Sequence, residues 1–145
     1  MSLAMPTYSA ALTSPARTLA SGAVEGAVRW TLRAEGLVLF AAALLAYGHE
    51  GFGWGRFALL FLAPDLTFAA YAFGPRWGAL AYNALHTTLF PAALGVAAYV
   101  LGSVDLAGIA LIALAHVGFD RAVGYGLKYS TGFNDTHLGR KGGKA

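Results

Sequence analysis

The chain has 145 residues, of which 57% are hydrophobic and only 12% charged, with a net charge of +3 and no cysteine. Soluble domains carry about 25% charged residues, so this chain could not cover the surface of a soluble fold, and one domain in a bilayer is the expected class. Disulfide frameworks and thiolate metal sites are excluded. The small basic excess, without aromatic–basic interleaving, speaks for membrane orientation and anionic lipid and against nucleic acid.

Residues 1–27 are rich in Ala, Ser, Thr and Gly, with Pro6 and Pro15. They read as a flexible N-terminal arm, and no apolar run of signal-peptide length lies between Met1 and Ala23. Four apolar segments follow, at about 30–47, 54–73, 77–101 and 104–125. A spanning helix needs about 20 residues. The second is interrupted by Pro64-Asp65, and the first carries Arg33 and Glu35 near its start, with Arg33 snorkelling to the interface. Short linkers make sequence neighbours antiparallel. The expected fold is therefore all-α, a four-helix transmembrane bundle over residues 28–128, followed by a cytoplasmic C-terminal tail at 129–145. Trp30, Tyr47, Trp54, Trp77 and Tyr99 fall near span ends, as an interfacial aromatic belt requires.

Nine of the ten basic residues flank the ends that share a side with the termini, and Arg56 alone lies opposite. Cytoplasmic flanks retain Lys and Arg, so both termini are expected in the cytoplasm of a bacterial cell.

Depth follows from the helical rise of about 1.5 Å per residue. Asp65 is 11 residues into the second segment, His86 is 9 into the third and His116 is 12 into the fourth. All three come out near mid-membrane, with Thr87 beside them. Asn83, His86 and Thr87 share one helix face, as do His116 and Asp120, with Lys128 further along that line; Arg121 and Tyr125 form the next. Glu35 lies at the expected mouth. These positions read as a polar cavity closed at mid-membrane and widening toward the cytoplasm. Ionisable groups there cost about 2.5–3.5 kcal/mol each on insertion scales, so they must face one another or water. Pro64 should free the Leu60 carbonyl from its helical partner. The tail stretch "STGFNDTHLGR" is expected to order near the mouth, anchored by Phe133 and Leu138, with polar contacts from Asn134, Asp135 and His137.

The stretches "RAEGLVLF", "LLFLAPDLTFAAYAFGPRWGALAYNALHTTLFP" and "LAHVGFDRAVGYGLKYSTGFNDTHLGR" together resemble the DUF4260 family of small bacterial membrane proteins, over about residues 30–140. The resemblance implies an integral membrane protein. It brings no activity and assigns no catalytic residue.

Three functional readings are compatible with the residues. The first is an intramembrane enzyme or binding protein for a small lipophilic molecule. Asp65, His86, His116 and Asp120 would be its acid and base groups, and Glu35, Asn83, Thr87, Arg121, Tyr125 and Lys128 would line the ligand site. In a variant, His86, His116 and Asp120 hold a divalent metal, although no HExxH motif is present; haem b between the two histidines is a further variant. The second is a transporter or proton-handling subunit, which with four spans would need to form a homodimer. The third is a structural protein whose polar core specifies packing, with Asn83, Thr87 and Tyr125 bonding helix to helix.

Overall fold

In the computed structural model, residues 22–141 are described, so the expected arm falls, up to residue 21, outside the described residues. The elements are α1 (Gly26–His49), α2 (Trp54–Phe61), a 3₁₀ segment (Ala63–Phe73), α3 (Pro75–His86), α4 (Leu89–Leu101), α5 (Val104–Val123) and a hairpin of β1 (Asp135–Thr136) and β2 (Gly139–Arg140). Three helical stretches are long and apolar enough to cross a membrane, or four if the bent pair α3–α4 is one span. Three to four such helices suggest an integral membrane protein. Much of the apolar surface faces outward, as in Leu45, Leu59, Leu66 and Tyr99, which only lipid or a partner would tolerate.

Helix α5 is central, with α1, α2 and α4 packed on it. The α1–α5 seam is built of small residues. A side chain on Gly36 would run into Arg121, Ala122 and Gly118, and one on Gly118 into Phe40. Glycine at both positions lets the backbones approach closely, the usual basis of helix association in lipid. Helix α5 ends at Gly124, whose φ of +90° takes the left-handed cap that glycine supplies without strain.

Two expected spans are not continuous helices. The third bends by 44° between α3 and α4. Pro91 lies in the first turn of α4 and its ring would collide with the carbonyl of Thr87 in an unbroken helix; Thr87 is instead extended, at φ −81° and ψ 145°. The second span changes from α to 3₁₀ geometry at Pro64. There the Leu60 carbonyl, expected to be free, accepts the Leu62 amide, and Thr67 Oγ1 donates to the Pro64 carbonyl at 2.6 Å.

Runs of 3₁₀ helix beyond 3–4 residues are uncommon, and the packing explains this one of 11 residues. A 3₁₀ helix rises about 2.0 Å per residue, so every third residue recurs about 6 Å along a straight row. In an α-helix every fourth residue also recurs at about 6 Å. Asp65, Phe68 and Tyr71 thus meet His86, Tyr82 and Gly78 of α3 rung by rung. Phe68 stacks on Tyr82 at 5.4 Å, the Tyr71 ring covers Gly78, and Asp65 reaches His86.

The aromatic belt needs one correction. Trp30, Trp54, Trp77 and Tyr99 are exposed, but Tyr47 is fully buried. It packs against Phe52, Trp54 and Phe57, and its hydroxyl donates to the Gly53 carbonyl at 3.0 Å. Near the same end Arg56 pairs with Asp105 at 2.7 Å.

Beyond α5 the chain folds back over the end where α1 begins. Val24 N donates to the His137 carbonyl, and His137 N to Leu127. Leu138 is buried there, while Phe133 packs on Phe68 and Tyr71. Asn83 clamps this segment to α3, donating to the Lys128 carbonyl at 2.9 Å and accepting the Lys128 amide at 2.7 Å. Removing a partner from buried backbone groups costs about 1–3 kcal/mol. Asn83→Ala should therefore loosen the segment, and limited tryptic digestion should cut after Lys128 much faster than in the wild type. Equal cleavage rates would remove the clamp from the account.

Candidate metal centre

Four side chains from four elements converge: Asp65 from the 3₁₀ segment, His86 from α3, and His116 and Asp120 one turn apart on α5. One potential ligand atom from each lies within 4.8 Å of all the others. His86 Nε2 is 3.0 Å from His116 Nε2, 3.3 Å from Asp65 Oδ1 and 3.8 Å from Asp120 Oδ2. His116 Nε2 is 3.7 Å from Asp65 Oδ1 and 3.9 Å from Asp120 Oδ2. Tetrahedral ligands at about 2.0–2.2 Å from a divalent ion stand about 3.4 Å apart, so the spacings fit a single ion.

Hydrogen-bond chemistry sharpens the fit. His86 Nδ1 contacts the Tyr82 carbonyl at 2.8 Å. A carbonyl only accepts, so Nδ1 carries the proton, and in the neutral ring Nε2 presents a lone pair. That lone pair faces two carboxylate oxygens and a second imidazole nitrogen. Such a gathering of acceptors repels itself unless a proton or a cation sits among them. Fixing a histidine tautomer through the remote nitrogen is also how metal-ligating histidines are oriented.

The surroundings hold the four in place. The Tyr82 ring stacks on the His86 ring at 3.5 Å between centroids, and its hydroxyl donates to Asp120 Oδ2 at 2.8 Å. Phe61 meets His116 edge-on at 5.4 Å. His116 Nδ1 is buried and has no hydrogen-bond partner among the described residues. His86 and His116 are buried, the Asp120 side chain is 14% exposed and the Asp65 side chain 31%. The centre therefore has one accessible edge, at Asp65, flanked in sequence by the exposed Leu62 and Leu66.

Other candidate residues sit around this centre in different roles. Arg121 Nη2 donates to the His86 carbonyl at 3.3 Å. It caps the acceptor that the α3–α4 break leaves free, where a helix C-terminus favours a cation. The partly buried Thr87 is the break itself, its hydroxyl accepting from Leu89 N at 3.4 Å. Lys128 is 4% exposed. Its ammonium donates to the Phe133 carbonyl at 2.8 Å and lies 3.7 Å over the Phe133 ring and 4.7 Å over that of Tyr82. Burial lowers its pKa, and the Asp120 and Asp65 carboxylates pull the other way. Glu35 and Tyr125 are not brought to the centre. Glu35 is exposed on α1 and makes no ion pair among the described residues, and Tyr125 lies under Lys141 Nζ at 4.0 Å. The reason is rotational: Gly36, not Glu35, faces α5.

Toward the termini the cluster is followed by the Asn83–Lys128 clamp and by the buried Lys128 ammonium over the Phe133 ring. A haem between the histidines does not fit. Two imidazoles bound on opposite faces of a macrocycle at about 2.0 Å each would stand about 4 Å apart with the ring between them, and here the nitrogens are 3.0 Å apart. Sequence reasoning missed Tyr82. Its spacing of four from both Gly78 and His86 was the available signal, but a tyrosine on an apolar face reads as packing. The expected polar contact from His137 in the tail is present, as it accepts the Leu127 amide at 2.8 Å.

The family model described as "Domain of unknown function (DUF4260)" matches residues 29–141. The chain belongs to that family. No curated protein and no solved structure matches it.

Proposed function

We propose that this DUF4260 member is an integral membrane protein of four spans, α3 and α4 forming one of them, with antiparallel neighbours and both termini on the cytoplasmic side of a bacterial cytoplasmic membrane. Its Asp65–His86–His116–Asp120 centre binds a divalent first-row metal and acts on a small lipophilic molecule. The observation that carries the reading is the His86 ring, whose Nε2 lone pair is aimed at three further ligand atoms. Two imidazoles with two carboxylates suit zinc, iron or manganese. The metal would supply Lewis acidity. Asp65, at the exposed edge, would exchange a proton with a ligand arriving laterally from the bilayer through Oδ2, its Oδ1 facing the two histidines, and Tyr82 holds Asp120 through its hydroxyl. Exposed leucines beside Asp65 favour an apolar visitor.

A proton-handling role is the second reading, favoured by the 3.0 Å contact between the two histidine nitrogens. Without a metal, one ring must donate to the other. Elemental analysis of detergent-purified full-length protein separates the two readings. About one tightly held metal per chain is expected, or the same stoichiometry after reloading with zinc, iron(II) or manganese(II). Failure to hold any of the three would overturn the metal reading and favour the proton relay. For the topology, reporter fusions after residue 145 and at Gly102–Ser103 should report opposite sides of the membrane, and the same side for both would refute it.

A further inference from the structure

A second polar site lies where α1 begins and α5 ends, and it is independent of the metal reading. A cavity of about 170 Å³ is lined there by Arg29, Arg33, Arg140 and Lys141, with no carboxylate among the described residues of its wall. The four cations come from two regions far apart in sequence, brought together by the fold-back of the C-terminal hairpin. Gly124 and Gly139 open the floor. Both have left-handed backbones, at φ +90° and +112°. A Cβ on Gly139 would stand 3.0 Å from Arg29 Nη1, and one on Gly124 would stand 3.5 Å from Lys141 Nζ.

Two of the four cations are held rather than free to swing apart. Arg33 Nε donates to the Ala122 carbonyl at 2.9 Å and Lys141 Nζ to the Val123 carbonyl at 2.8 Å. Among the described residues, Arg140 alone of the four forms an ion pair, with Asp135 at 3.5 Å. Like charges fixed around one hollow cost free energy unless an anion enters. The repulsion registers on Lys141, whose pKa is lowered first by burial and then by Arg33.

We infer that this cavity is a phosphate site: it binds a phosphate group through Arg29, Arg33, Arg140 and Lys141. Guanidinium forks match phosphate oxygens in bidentate fashion. The position, at the ends of two spanning helices, is the depth of a lipid headgroup, and basic pockets between transmembrane helices commonly take one. The phosphate can come from an anionic lipid or from a small soluble phosphate monoester.

The test uses full-length protein in phosphatidylcholine nanodiscs with and without phosphatidic acid, and glycerol 3-phosphate as the soluble probe. Bound lipid is read by native mass spectrometry and the soluble probe by calorimetry. Two variants address the site. R29Q/R140Q removes two cations whose side chains make no backbone bond among the described residues, and Val123→Trp fills the cavity while keeping every charge. Both should melt as the wild type does in plain phosphatidylcholine, which shows that they fold. Both should weaken binding, the first by roughly thirtyfold for two lost cations. Retention of phosphatidic acid that glycerol 3-phosphate does not displace identifies a lipid headgroup, whereas displacement identifies a soluble phosphate. Unchanged binding in Val123→Trp alongside loss in R29Q/R140Q would mean diffuse surface attraction and would overturn the site, as would wild-type binding no stronger than the phosphatidylcholine background.

Discussion

His116→Ala is expected to empty the Asp/His centre of metal while leaving a folded, inserted protein. His116 would supply one of two nitrogen ligands, and its other nitrogen has no partner among the described residues that the substitution would orphan. A metal at 100 times its dissociation constant stabilises by about 2.7 kcal/mol, or roughly 5–10 °C in a chain of this size. The melting temperature of the wild type should therefore fall by that amount on chelation. That of His116→Ala should be low from the start and insensitive to chelator. Asp65→Asn should behave alike, since it keeps the shape and removes the charge. A structural role predicts something different: both variants would lose stability equally with and without chelator, and the wild type would not respond to chelator at all. That pattern would return the centre to helix-to-helix bonding.

Gly78→Ala tests the rung-by-rung match between the 3₁₀ segment and α3. Intrinsic propensity argues for stabilisation, because alanine in a helix interior is about 1 kcal/mol better than glycine. Packing argues the reverse. The added methyl would lie inside the Tyr71 ring, which Phe133 backs at 5.1 Å. Overpacking of this kind typically costs about 1–3 kcal/mol and occasionally more. Steric overlap should win, giving a net loss of about 2 kcal/mol or more. The 3₁₀ segment should also be pushed off α3, drawing Asp65 away from His86 and reducing metal content. Tyr71→Ala in the same chain makes room, so the double variant should recover part of both losses. Strictly additive stabilities would show that the two residues do not couple and would refute the match.

Much of this arrangement was legible along the chain. The ends of the apolar segments came from hydropathy, because the cost of placing polar groups in lipid is paid residue by residue in one dimension. Asp65, His86 and His116 could be assigned a common depth because the helical rise turns sequence position into height. Asp120 followed from its one-turn spacing to His116. Rotation about each helix axis was not legible. In lipid, an apolar side chain is equally at home facing the bilayer or a neighbouring helix, so the pattern does not say which face packs. This is why Glu35 and Tyr125 read as site residues although Gly36 and the α5 cap turn them away from the centre, and why Tyr47 reads as a belt residue although it is buried. The break at Thr87 needed the steric effect of Pro91, and the long 3₁₀ run exists only because its 6 Å row meets one of equal spacing on α3. Tyr82 and the Asn83 clamp on Lys128 join residues 38 and 45 positions apart in sequence, and contacts at such separation leave no mark in local pattern. Sequence position set the heights of the chemical groups; packing between distant segments set which of them touch.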